Sequence, residues 1–180
     1  MEIRIGQHTI GLNHPTYFIA DIAANHDGSL ERAKYLIRLA ALLHDIGKVK
    51  TPDEILSKKG PLTHEEREIM ELHSLDGALN LMEQTNITNL ATLVAMEHHM
   101  KYDGTGYPRG LKGEQIPLAA RIFAVVDVWD ALISDRPYRK AWSKKESIEY
   151  IRDQTGAQFD SAAVQMFLDV LNDLPDFLGS

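Results

Sequence analysis

His44 and Asp45 stand side by side where an apolar helical run ends in "LIRLAALLHDIGKVK" (Leu36 to Lys50), with Lys48 just beyond. Such a pair at the buried end of a helix is costly unless a partner or a metal offsets its desolvation. Further candidates of the same chemistry follow along the chain. His73 lies on an apolar helical face, His98 and His99 form an adjacent pair, and Asp127 sits inside "FAVVDVWDAL". Each alone has an ordinary explanation. A single histidine on an apolar face is more often a hydrogen-bonded core residue, and two histidines at a helix end suit its C-terminal dipole. Asp127 is harder to dismiss, because a carboxylate in such a run needs a partner or a metal. Together they are four helices aiming nitrogen and oxygen ligands inward, the way metal sites in helical bundles are built. Imidazole and carboxylate suit Fe, Mn or Zn and do not choose among them.

The cations nearby suggest the substrate. Lys48, Arg121, Arg136 and Arg139 lie just after or between the ligand candidates in a chain of formal charge −7. Any one of them reads as ordinary surface charge. As a set beside a metal site they suit phosphate, with arginine offering a planar fork and lysine a point charge. A bridged metal pair can make water a nucleophile at neutral pH and stabilise the leaving oxygen of a phosphodiester. This chemistry needs no protein nucleophile.

The elements that must position these residues are mostly helical. Ser29 is a credible N-cap for a helix to about Ile46, with Ala33, Leu36, Ile37, Ala40, Ala41 and Leu43 at helical spacing. Thr63 and Glu66 form a capping box for a second long helix, in which Ile69, Met70, His73, Gly77 and Leu81 share a face. A third helix spans roughly Thr88 to Met100 and ends in the histidine pair. After the polar, glycine-rich stretch "KYDGTGYPRGLKGEQ", Pro117 suits the first turn of a fourth helix. Ser143 opens another capping box in "SKKE", and Gly156 precedes a last helix from Asp160. Residues 1 to 28 differ, with a short strand pair expected near Glu2–Ile10 and a buried-type strand at about Tyr17–Ala23.

Composition bounds the rest. The 180 residues suffice for one domain, and 44% hydrophobic with 25% charged residues is an ordinary globular balance. The acidic charge argues against a DNA surface. With no cysteine, disulfides and thiolate metal sites are excluded. No apolar run approaches the ~20 residues of a membrane span, nor is there a signal-peptide core, so the expected location is cytoplasmic.

"LHDIGK", "HSLDG", "HH", "DGTGYPRGL", "IPLAARIFAVVDVWDAL" and "DRPYRKAW" occur here in order and in rough spacing. In this the chain resembles the HD-GYP family of bacterial cyclic di-GMP phosphodiesterases over about residues 40–171. The resemblance implies a mainly α, HD-domain-like helical bundle, with the short β segment at its N-terminus. It implies two divalent metal ions (Fe, Mn or Zn) on His44, Asp45, His73, His98, His99 and Asp127, with Asp45 bridging. Asp45 and Lys48 become the catalytic candidates, and Lys48, Arg136 and Arg139 match positions that hold substrate phosphates. Tyr107 would contact a guanine, and the loop Gly106–Tyr107–Pro108 would meet a diguanylate cyclase partner. The implied reaction is hydrolysis of cyclic di-GMP to the linear dinucleotide, and onward to GMP.

The family's helices upstream of the His-Asp pair, which usually add a Glu and a His ligand, are not matched. Instead "FIADIAANHDGSLERAKYLIRLA" resembles the first strand and helix of the sialic acid synthase family, a (β/α)8 barrel. One βα unit cannot close a barrel that needs eight strands, so synthase activity is not expected. The reading is a chimera, with a synthase-like segment at 1–40 and an HD-GYP-like metallophosphohydrolase domain at 41–180. His26 lies 18 residues before His44, about 27 Å along a straight helix, too far to replace a ligand. His14 could return to His44 if the strand at Tyr17–Ala23 packs antiparallel on the helix, since ~3.3 Å per residue covers the distance. Apolar surface left by missing helices invites a homodimer. The competing readings are a catalytically impaired cyclic di-GMP-binding or protein-interaction module, and a chimera with no function of its own.

Overall fold

The computed structural model describes residues 3–5, 8–10, 30–83, 89–136 and 139–173. Ile3–Ile5 (β1) and His8–Ile10 (β2) pair antiparallel. Seven α-helices follow among the described residues: α1 (Leu30–Leu43), α2 (Asp53–Leu56), α3 (His64–Glu83), α4 (Asn89–Glu97), α5 (Leu118–Ile133), α6 (Lys144–Asp153) and α7 (Ser161–Asp173). A 3-10 turn at Ile46–Lys50 joins α1 to α2, and another at Gly113–Gln115 precedes α5. The fold is mainly α, as the sequence implies. The strand expected at Tyr17–Ala23, with His14 and His26, lies outside the described residues.

Local chemistry explains where the helices start. The Thr63 amide donates to Glu66 Oε2 at 2.7 Å while the Glu66 amide donates to Thr63 Oγ1 at 3.2 Å, a reciprocal cap before α3. Ser143 and Glu146 do the same for α6. Pro117 immediately precedes α5, and Asp160 Oδ1 accepts from the Ala162 amide at 2.9 Å to start α7.

Helix α5 joins two cores. Its first turn gives Ala119 to a cluster of Leu36 and Ala40 from α1, Leu81 from α3, and Leu90, Ala91, Val94 and Ala95 from α4. Its middle gives Val125 and Trp129 to a second cluster with Ile151, Phe159, Ala163, Val164, Leu168 and Leu171. Each large side chain so buried contributes about 1.5–3 kcal/mol. Alanine at 91, 95, 119 and 120 lets the α4 and α5 backbones approach, which brings their polar residues into reach of each other. The face expected on α3 holds at His73, Gly77 and Leu81, but Ile69 is exposed.

Two helix ends fall earlier than the hydrophobic period suggests. α1 stops at Leu43, not Ile46, and α4 stops at Glu97, not Met100. His44, Asp45, His98 and His99 therefore occupy the turns just after the helices. The reason is tertiary: the apolar stripe continues, but the backbone bends there to pass a neighbouring segment. The Asp45–Lys50 turn leans on α3 so closely that a Cβ on Gly47 would lie 1.9 Å from the His73 carbonyl oxygen and 2.5 Å from the Gly77 nitrogen.

Candidate metal centre

The turn after α1, the middle of α3, the turn after α4 and the middle of α5 meet at one point. Asp45 is its hub. Its Oδ1 lies 3.4 Å from His73 Nε2 and 3.8 Å from His98 Nε2, and its Oδ2 lies 3.5 Å from His44 Nε2. His44 Nε2 is also 3.6 Å from Asp127 Oδ1. His99 completes the group, its ring centroid 3.9 Å from that of His98 and 5.1 Å from that of His73. One ligand atom from each of Asp45, His73, His98 and His99 fits within a 4.8 Å span. All six residues singled out in the sequence as ligands are thus brought together.

The tautomers show what the cluster lacks. Nδ1 of His44 lies 2.8 Å from the Ala41 carbonyl, that of His73 lies 2.5 Å from Met70, and that of His98 lies 3.0 Å from both Val94 and Ala95. A carbonyl only accepts, so each Nδ1 carries the proton and donates. Each Nε2 is then left with a lone pair. Among the described residues, no hydrogen-bond donor meets the buried acceptors His73 Nε2, His98 Nε2 and Asp45 Oδ1. Buried acceptors converging without a donor are unfavourable alone and suit a cation, and backbone-anchored Nδ1–H groups are how metal-bound histidines are held. The residues fit a divalent ion.

Electrostatics agree. Burial, with the charges of His98 and His73, pushes His99 down to about 2, and burial with His44 pushes His98 down to about 4. Burial lowers His73 as well. These rings are neutral, as ligands must be. Burial pushes Asp45 up, but the Lys48 hydrogen bond and the charges of Lys48, His44 and His98 outweigh it and hold the carboxyl below its ordinary value. Burial raises Asp127, against the opposing charge of His44.

The surrounding residues divide. Lys48 Nζ donates to Asp45 Oδ2 at 2.5 Å, so this cation is at the centre itself. Arg136 is exposed, and its charge reaches Asp127. Arg139 is engaged elsewhere: it donates to the carbonyls of Ala131 at 2.6 Å and Leu132 at 3.4 Å and lies over the Trp142 ring at 5.4 Å. It satisfies the open C-terminal end of α5, where a cation also suits the helix dipole. Arg121, expected among the phosphate-facing cations, is paired instead with buried Asp160 and ties α5 to α7. Tyr107 stands with its ring centroid 4.8 Å from His99 and 6.3 Å from His73, and burial raises its hydroxyl pKa.

Sequence reasoning missed three features. The Phe123 ring, 5.1 Å from His44 and 6.4 Å from His98, walls the centre on the α5 side. Gly47 permits the backbone approach described above. Glu97 is buried and pairs with Arg109 of the glycine-rich loop. A glutamate on the apolar face of "TLVAMEHH" was the available signal for the last, whereas nothing in "PRGL" marks Arg109 as its partner.

Known proteins resemble this chain over most of its length. The chain is 43% identical over 151 residues to the cyclic di-GMP phosphodiesterase response regulator RpfG of Xanthomonas campestris, covering 83% of this chain and 40% of that protein. It is 44% identical over 137 residues to a cyclic di-GMP phosphodiesterase of Pseudomonas aeruginosa, covering 76% of this chain and 33% of the relative. It thus spans less than half the length of these relatives. A solved HDG"Y"P protein from Bdellovibrio bacteriovorus shares the fold with a TM-score of 0.61 at 21% identity, covering 84% of this chain and 48% of that one. The model of the HD domain matches residues 7–163, and the chain belongs to the HD domain family.

Proposed function

We propose that this chain is a metal-dependent phosphodiesterase that hydrolyses cyclic di-GMP to the linear dinucleotide and onward to GMP. The observation that carries the proposal is the set of buried acceptors around Asp45 that no donor among the described residues satisfies, in a chain more than 40% identical to relatives named for that activity. The two carboxylate oxygens of Asp45 face different partners, Oδ1 toward His73 and His98 and Oδ2 toward His44. This supports two divalent ions (Fe, Mn or Zn), which His44, Asp45, His73, His98, His99 and Asp127 would hold. Bound divalent ions supply a water-derived nucleophile at neutral pH and stabilise charge on the departing phosphodiester oxygen.

The protein's own side chains do the remaining work. Lys48, already at the centre, neutralises a substrate phosphate, and Arg136 adds a second positive charge at the rim. Arg139 joins them only by leaving the end of α5. Tyr107 offers a flat face to a guanine beside the ligands, and Phe123 excludes water behind His44 and His98.

Loop Gly106–Tyr107–Pro108 is a docking point for a diguanylate cyclase. Leu72, Leu75, Leu79 and Met82 form an exposed apolar stripe on α3, which supports a homodimer. No described helix is long and apolar enough to cross a membrane, and a nucleotide substrate suits the cytoplasmic location read from the sequence. The "NHDGS" stretch supports a separate origin for residues 1–40, joined to a domain at 41–180, although the HD-domain match already begins at residue 7.

The test is elemental analysis of the full chain purified without tag or chelator, followed by product chromatography with cyclic di-GMP. About two ions per chain and a linear product are expected. A chain that loads with metal but turns nothing over, while still binding the nucleotide, would make it a binding module. A chain that folds and takes up no metal would end the enzyme reading.

A further inference from the structure

We infer that the Glu97–Arg109 ion pair is a positioning device that fastens the Tyr107 loop onto the metal centre. Glu97 is the last residue of α4, directly before His98, and its side chain is 2% exposed. Its carboxylate accepts from Arg109 Nη2, whose side chain is half exposed in the loop two residues past Tyr107. Glu97 is not among the ligand atoms that converge with Asp45. The ligand set therefore does not account for its burial.

The loop needs such a fastening at its middle. Its two ends are held by backbone bonds: the Tyr102 amide donates to Gln158 at 3.1 Å, the Asp103 amide to Ala157 at 2.8 Å, and the Gly113 amide to Tyr102 at 2.8 Å. Around Tyr107 the backbone offers one long bond, from the Tyr107 amide to the His99 carbonyl at 3.3 Å. The approach is close enough that a Cβ on Gly106 would lie 2.2 Å from the Lys101 nitrogen and 2.5 Å from the His99 oxygen. Leu111 packs against the cluster of Met100, Ile116 and Ala120 on the far side of Arg109, and the Tyr107 ring meets only the imidazoles of His99 and His73 among the described rings. The Arg109 guanidinium closes the segment by gripping a carboxylate on the same turn that carries His98 and His99. Buried ion pairs are weak evidence for stability, and fixing one arrangement among several is their best-attested use. Here the arrangement fixed is the Tyr107 ring over His99. Neither residue touches substrate in this account; both act through Tyr107.

The kinetic part of the test rests on the proposed phosphodiesterase reading, and the structural part does not. Full-length protein carrying Arg109→Met, Arg109→Lys, or the double change Glu97→Gln with Arg109→Met is compared with wild type by hydrogen exchange of peptides from residues 101–113. Metal content, melting temperature and cyclic di-GMP kinetics are measured alongside. In Arg109→Met the Tyr107 amide should exchange about tenfold or more faster, while the Tyr102 and Asp103 amides keep their protection. Metal per chain should be unchanged, because no ligand is altered. KM should rise about tenfold with kcat within about twofold, since binding must now order the loop. Arg109→Lys should recover part of both effects. The double variant removes the stranded carboxylate charge, so its melting temperature should return toward wild type while exchange stays fast and KM stays high.

Two results would overturn the inference. One is unchanged Tyr107 exchange in Arg109→Met. The other is a double variant whose exchange and KM both return to wild type along with its stability, which would make the pair a matter of stability alone. If the wild-type chain hydrolyses nothing, the exchange comparison still decides between these outcomes.

Discussion

Replacing Gly47 with alanine should dismantle the metal centre without dismantling the fold. The added Cβ would sit 1.9 Å from the His73 carbonyl oxygen, 2.5 Å from the Gly77 nitrogen and 2.8 Å from the His73 carbonyl carbon. Ordinary contact begins near 3.4 Å, so the turn carrying Asp45 and Lys48 must retreat from α3 by more than about 1 Å. All three blocking atoms are helix backbone, which cannot swing aside as a side chain would. Asp45 Oδ1 stands 3.4 Å from His73 Nε2 across this same seam. Metal–ligand distances tolerate only about 0.2 Å, so His73 and Asp45 can no longer serve one ion. The overpacking itself costs about 1–3 kcal/mol, within what a domain of this size tolerates. The assay is elemental analysis together with circular dichroism and urea unfolding of the purified variant. Helical signal should be retained, stability modestly reduced, and metal per chain brought well below the wild-type value. Gly77→Ala is the control. Its Cβ would meet the Gly47 nitrogen at 3.2 Å, and the roughly 1 kcal/mol helix-propensity gain of alanine over glycine offsets that crowding. It should keep its metal. A Gly47→Ala protein with full metal content would refute the argument that this backbone approach sets the ligand geometry.

Other consequences are simpler to read. The metal-free chain should lose stability as pH falls below the ordinary histidine value of 6.5 toward 4, because unfolded His98 takes up a proton that the buried ring refuses until about 4. The slope is about 1.4 kcal/mol per pH unit for each histidine kept neutral, so a urea midpoint equal at pH 7 and pH 5 would contradict it. Arg121→Met strands the buried Asp160 carboxylate and should cost about 3–5 kcal/mol, with much of the loss regained when Asp160→Asn is added; thermal unfolding measures both. Ser143→Ala removes the cap that accepts from the Glu146 amide and should cost about 1 kcal/mol in chemical denaturation, with metal content unchanged.

The residues that converge around Asp45 could be picked out in the sequence because their side chains are costly to bury without a partner. His44, Asp45, His73, His98, His99 and Asp127 each had an ordinary explanation alone, and only their recurrence on helix after helix pointed to one shared centre. Capping boxes at Thr63 and Ser143 were equally legible, since they depend only on residues three apart. What only the tertiary structure decided were the pairings across sequence distance. Arg121 and Arg139 looked like phosphate-facing cations beside Arg136, yet one answers Asp160, 39 residues on, and the other closes the end of α5. Charge type alone does not say which anion or carbonyl a cation meets. Helix periodicity likewise ran past Leu43 and Glu97, because it registers an apolar stripe and not the neighbouring backbone that forces the chain to turn. Gly47 and the Glu97–Arg109 pair belong to the same class. Their meaning is a distance between segments, and that distance exists only once α3, α4 and the turns beside them have packed.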